Sequence, residues 1–115
     1  MIGAIDENGG EIKSMELKVE LAPLAVELSQ NHPNPFNPST EIEFKLPEEA
    51  EVELAVYDIS GRRVATIFRG LETAGVKRYA WDGRDDAGRP VPSGVYLYFL
   101  RAGKQVLSRK MVLVR

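Results

Sequence analysis

The chain has 115 residues, 43% of them hydrophobic and 28% charged, with a formal net charge of −2. That is the size and balance of one domain with a modest core. It contains no cysteine, so disulfides, thiolate zinc sites and cysteine nucleophiles are excluded. No run approaches the roughly 18 apolar residues that a membrane helix needs.

The first residues, "MIGAIDENGGEIK", lack the basic start and apolar block of a secretory signal. "AIDENGGEIKSMELKVEL" reads as strand, Asp/Asn/Gly turn, strand, with Met15, Leu17 and Val19 on one face. Residues 1–28 are read as the tail of an upstream domain or as an extra first strand of the same fold. Residues 29–39, within "SQNHPNPFNPST", form a proline-rich lead-in. It is expected to be extended and polyproline-like, holding the β-patterned module away from the chain before it. Phe36 is its one large apolar residue and is expected to dock it. His32-Pro33, Asn34-Pro35 and Asn37-Pro38 are bonds where cis and trans forms can mix.

From residue 40 the pattern is β throughout. "TEIEFKL" alternates, with Ile42, Phe44 and Leu46 on one face. "EVELAVYD" repeats this with Val52, Leu54 and Val56 inward. The "PEEA" between them is a hairpin or a corner. "DISGRR" is a tight turn around Gly61, "VATIFR" is a strand and "GLETAG" a loop. "VKRYAWD" ends in the only tryptophan, Trp81, with Tyr79 on the same face. "DGRDDAGRPVPSG" is turn-rich. "GVYLYFLRA" and "KQVLSRKMVLVR" close the chain. Both faces of "VYLYFL" are apolar, as in a central strand covered twice or one lying against a partner. The spacing predicts an all-β fold, an Ig-like antiparallel sandwich of about seven strands over residues 40–115.

Charge is uneven along the chain. Residues 1–58 carry 13 acidic and 3 basic side chains, or −10, and residues 59–115 carry 4 acidic and 12 basic, or +8. Strands of the two halves are expected to neighbour and pair their charges. The competing reading is a basic half that meets an anionic partner. The basic residues of the last segment are interspersed with apolar ones, which suits a strand and not a nucleic-acid arm, so no nucleic-acid partner is expected.

Residues for catalysis are scarce. The sole histidine, His32, lies before a proline in the lead-in, and no serine sits in a G-x-S-x-G elbow. Glu48, Glu49, Glu51 and Glu53 read as solvated strand and turn residues. Asp82, Asp85 and Asp86 are weak candidates for a metal, because an oxygen-rich turn suits hard cations. Counted from Asp82, however, the helix-loop-helix calcium pattern fails, and aspartates capping backbone N–H groups account for the cluster. Phosphate-cradling glycine motifs are absent. No enzyme activity, cofactor or metal is expected.

In order, "PNPFNPSTEIEFKLP", "VELAVYDISGRRVATI", "WDGRDDAGRPVPSGVYLYFLRAG" and "RKMVLVR" resemble the C-terminal sorting domain (type A) of proteins exported by the bacterial type IX secretion system. The related Ig-like domain of the flagellar hook-capping scaffold shares the middle portions. The resemblance covers about three quarters of the chain, and the first 28 residues resemble the last hairpin of a fibronectin type III-like domain. It implies an Ig-like sandwich fused after a larger cargo. It also implies export through the periplasm to the cell surface or beyond, with recognition by the outer-membrane secretion machinery and a surface peptidase. The sorting signal falls on Gly94, Val95 and Tyr96, on Gly103 and Lys104, and on Lys110, Val112 and Val114. The chain ends on Arg115 where lysine is frequent in the family, which keeps the charge. A last strand with few neighbours would add to a receptor's sheet by strand pairing or form a weak dimer, with Lys104, Arg109 and Lys110 guarding the edge. The alternative is a structural assembly module like the hook-cap domain.

Overall fold

A computed structural model describes residues 25–115. Two antiparallel sheets pack face to face. One holds β1 (Glu27–Leu28), β2 (Thr40–Leu46) and β5 (Gly75–Trp81), in the order β1-β2-β5. The other holds β4 (Arg63–Glu72), β3 (Ala50–Asp58), β6 (Gly94–Ala102) and β7 (Gln105–Leu113), in the order β4-β3-β6-β7. The all-β expectation and the seven-strand sandwich are met. Sequence positions before residue 25, including the strand expected around Met15 to Val19, lie outside the described residues.

Period-two alternation builds the core. Ile42, Phe44 and Leu46 of β2, Leu54 and Val56 of β3, and Tyr98 and Leu100 of β6 are fully buried between the sheets. The "PEEA" segment is a corner and not a hairpin, since β2 and β3 belong to different sheets. At the far end of β3 the chain makes a true hairpin. Gly61 adopts φ 91° there, and Asp58 Oδ1 accepts from the N–H groups of Ser60 and Arg62, each at 3.0 Å. The next strand runs further than its sequence suggests. The "GLE" expected in a loop is part of β4, with Gly70, Leu71 and Glu72 opposite Val52, Glu51 and Ala50. Propensity argues against glycine in a strand, but the partner strand continues and its ladder extends β4.

Charge pairing follows strand neighbourhood. Glu53 lies between two arginines of the second half, Arg63 at 3.0 Å and Arg101 at 3.1 Å, and Arg78 reaches Glu43 across β2 and β5. Other pairs are local, such as Arg89 with Asp85 and Lys77 with Glu72.

The lead-in lies on the sandwich. β1 pairs with β2 through Glu27↔Lys45 and Leu28↔Phe44, and the chain then crosses to the other sheet, where Phe36 lies parallel to Leu113 of β7. Pro33, Pro35 and Pro38 have no N–H to place in a ladder, which suits a segment leaving one sheet for another. All three of their preceding peptide bonds are cis. A buried polar knot fastens the crossing. Asn31 Nδ2 donates to Thr40 Oγ1 and to the Pro33 carbonyl, while the Thr40 hydroxyl donates to that same carbonyl at 2.8 Å. Phe36 is 2% exposed, and its ring centre lies 5.8 Å from that of Trp81. The expectation that Phe36 docks the segment is met.

A candidate recognition site along the last strand

Strand alternation divides β7 into two faces. Leu107, Met111 and Leu113 turn inward, while Val106, Ser108, Lys110 and Val112 turn to the outer face of the four-stranded sheet. β7 is a sheet edge in the strand order, paired on one side with β6. Its other side is partly occupied. The Phe36 N–H donates to the Val112 carbonyl and the Val114 N–H to the Phe36 carbonyl, both at 2.9 Å. The Val112 N–H donates to Asn34 Oδ1 at 3.0 Å, and Gln30 Nε2 donates to the Lys110 carbonyl at 2.7 Å. Arg109 Nε donates to the Leu28 carbonyl at 2.7 Å. The lead-in therefore straps the edge from Lys110 to Val114. The outward N–H and C=O groups of Val106 and Ser108 face no paired strand among the described residues.

The residues named by the sequence resemblance fall in two places. Gly94, Val95 and Tyr96 lie opposite Leu113, Val112 and Met111, so the first group joins Lys110, Val112 and Val114 at one end of the β6–β7 hairpin. Gly103 and Lys104 form the turn at the other end, beyond the Ala102↔Gln105 pair. Five residue pairs, from Tyr98↔Arg109 to Ala102↔Gln105, separate the two groups, about 20 Å of strand. Tyr96 is buried: its hydroxyl donates to the Pro92 carbonyl at 2.6 Å and its ring meets Trp81 edge-on. Lys104, Lys110, Val95 and Val114 are exposed. The terminal arginine is exposed as well, but hydrogen bonds tether it. Arg115 Nε donates to the Val91 carbonyl, Nη2 to the Gly83 carbonyl, and its backbone N–H to Ser93 Oγ.

Beside this edge the outer face of the sheet is open and partly apolar. Ala55, Tyr57, Ile59, Leu97, Phe99 and Val106 line a groove of about 400 Å³. Tyr57 and Phe99 meet edge-on within it, and the Arg63 guanidinium lies 5.7 Å above the Tyr57 ring. The doubly apolar "VYLYFL" thus has one face in the core and the other on this open surface.

The acidic turn has other work. Asp85 Oδ1 accepts from the N–H groups of Ala87 and Arg89, Asp82 Oδ1 from that of Arg84, and Asp86 Oδ1 from that of Thr66. These hydrogen bonds, led by that from Arg89, hold the Asp85 carboxyl below its ordinary pKa. Among the described residues no group of three or more histidine, cysteine, aspartate or glutamate side chains is placed to hold a metal ion.

Sequence reading missed the strap and the tethering of Arg115. A usable signal was present in Gln30, Asn31 and Asn34, whose amides readily bond backbone in chain segments that lack N–H groups of their own.

Three strands on four, with the segment after the first strand crossing between sheets and the last strand at an edge, define an immunoglobulin-like β-sandwich domain. The model of the FlgD Ig-like domain family matches residues 31–105. The chain belongs to that family. No curated protein matches the sequence. Among solved structures, dimeric latent PorU from Porphyromonas gingivalis superposes with a TM-score of 0.61 at 21% identity, covering 81% of this chain and 10% of that one. PorZ from the same organism is described as an essential bacterial surface component of the type IX secretion system. It gives 0.52 at 21% identity, covering 78% of this chain and 11% of that one. FlgD from P. aeruginosa gives 0.52 at 27% identity, covering 64% of this chain and 57% of that one. The chain thus spans about a tenth of PorU and of PorZ, and the likeness to both is one of fold.

Proposed function

We propose that the chain is a non-catalytic sorting module, carried by a larger cargo and directing it through the periplasm and across the outer membrane to the cell surface by the type IX secretion system. The observation that carries this reading is the joining of its lead-in to its last strand. The FlgD Ig-like match ends at residue 105, before almost all of β7. The stretch of the sorting resemblance that falls outside that match, "RKMVLVR", is bonded to "PNPFNPST" of the lead-in through Val112, Phe36 and Asn34. A partner reading strand edge and flanking charge needs no catalytic group, which accords with a surface whose distinctive features are an edge, exposed lysines and an open apolar face. Recognition by the outer-membrane machinery and a surface peptidase belongs to the same reading.

A second reading, an assembly module like the hook-cap domain, is favoured by the family match and the FlgD likeness. An export assay separates the two. The 115-residue chain is fused to an inert reporter in a host with a working type IX system, beside a Lys104→Glu, Lys110→Glu version. Surface reporter with the first and periplasmic reporter with the second are expected. Periplasmic retention of both, with Trp81 fluorescence showing folded domains, overturns the sorting reading in favour of the assembly module.

A further inference from the structure

We propose that the outer edge of β7 from Lys110 to Val114 is a strand-acceptor site. In this structure the chain's own Gln30–Asn37 fills it, and a partner reads the last strand by exchanging an extended segment of its own for that strap. The partner's identity rests on the sorting reading; the exchange is a property of this chain and is tested without it.

The strap is a poor strand. Of its contacts with β7, only Phe36 contributes backbone N–H and C=O; Gln30 and Asn34 use side chains. Pro33, Pro35 and Pro38 prevent it from making a longer ladder. Strand alternation aims the N–H groups of Ser108 and Lys110 and the carbonyls of Val106 and Ser108 at the same edge, beyond the strap's reach. A segment with fewer prolines gains those bonds while replacing the strap's own, so exchange trades few hydrogen bonds for more.

The cis occupant also shows what chemistry fits. Phe36 places its ring against Trp81 and its backbone beside Leu113, parallel to β7. An incoming strand must run parallel and bring an aromatic or large apolar side chain to that pocket. Lys104, Arg109, Lys110 and Arg115 make no ion pair with a carboxylate among the described residues. Acidic residues flanking the aromatic therefore suit the edge. The partner is an extended, proline-poor, acidic segment with one aromatic anchor.

The test uses the whole chain and two fluorescent peptides: its own Ser29–Ser39, and the same peptide with valine or threonine replacing the three prolines. Gln30→Ala with Asn34→Ala loosens the strap and leaves Phe36 in place. Asn37→Cys with Val114→Cys, exposed neighbours of the bridged pair, locks it by a disulfide in a chain that otherwise has no cysteine. The loosened chain is expected to bind both peptides about fivefold or more tighter than the unaltered one, and the proline-free peptide the more tightly. The locked chain should bind neither until reduced, and a Phe36→Ala peptide should not bind. Equal binding by loosened, unaltered and locked chains overturns the proposal. So does absence of binding to a loosened chain that still melts cooperatively. Exchange without reporter export removes the sorting reading and leaves the acceptor site standing; export without exchange means that the last strand is read in another way.

Discussion

Arg115 closes on Gly83 from 32 residues away, its Nη2 donating to the Gly83 carbonyl at 2.6 Å. Gly83 holds φ +75°, and a Cβ built on it would stand 2.9 Å from both Arg115 Nη2 and the Pro38 carbonyl. Glycine is therefore required twice, by backbone conformation and by the Pro38 backbone carbonyl that leaves no room for a Cβ. The positive end of the chain is an internal tie among the Gly83 loop, Val91 and the end of β7.

A fork of donors is what this tie uses, so charge alone does not replace it. Arg115→Lys keeps the charge but cannot present two N–H groups in one plane to the Val91 and Gly83 carbonyls. It should cost about 1 kcal/mol in urea unfolding, and Arg115→Ala about 1–3 kcal/mol. Equal stability of all three would show that the tie contributes nothing.

Phe36 should behave as a core residue although its neighbours in sequence are exposed. Phe36→Ala is expected to cost about 3–5 kcal/mol and Phe36→Leu under about 1.5 kcal/mol. Urea midpoints with an unchanged m-value would check both figures.

Asp58 governs the β3–β4 turn. Hydrogen bonds, first from the Ser60 hydroxyl and then from the Arg62 backbone, lower its pKa to about 2. The folded pKa lies below the unfolded one, so the contribution to stability is complete above about pH 4. It is lost as pH falls toward 2. An NMR titration of the Asp58 carboxyl should give a midpoint near 2, and Ser60→Ala should move it upward.

Tyr79 titrates at the other extreme. Burial, then the hydrogen bond it donates to Glu72, push its pKa up to about 12. The same bond is the main cause of the lowered Glu72 pKa. The unfolded chain releases this proton near pH 10, so stability should hold below pH 10 and fall between there and 12. Glu72→Gln removes the carboxylate and should bring the tyrosinate absorbance midpoint down. An unmoved midpoint would assign the shift to burial alone.

The strands were legible because one face of each is wet and the other dry. That alternation is local, so Ile42, Phe44, Leu46, Val52, Leu54 and Val56 could be placed inside from a few residues of sequence each. Trp81, at 4% exposed, was equally readable. What sequence did not show depends on neighbours distant along the chain. Gly70 belongs to a strand only because Val52 faces it. In the proline-rich residues 29–39 the docking ring of Phe36 was legible, but the three amide side chains that join it in fixing the segment to the sandwich were not. For the recognition residues, the β6–β7 pairing brings Gly94–Tyr96 beside Lys110–Val114, while Gly103 and Lys104 lie at the opposite end of the hairpin.

The lead-in and the last strand run parallel, in contact at Phe36 and Leu113. A pull that draws residue 25 one way and residue 115 the other therefore slides the two past each other instead of peeling them apart. The Gln30, Asn34 and Phe36 bonds to β7 then share the load and fail together. Tension along the chain meets its resistance at this seam, and the edge of β7 is uncovered only when the whole seam yields.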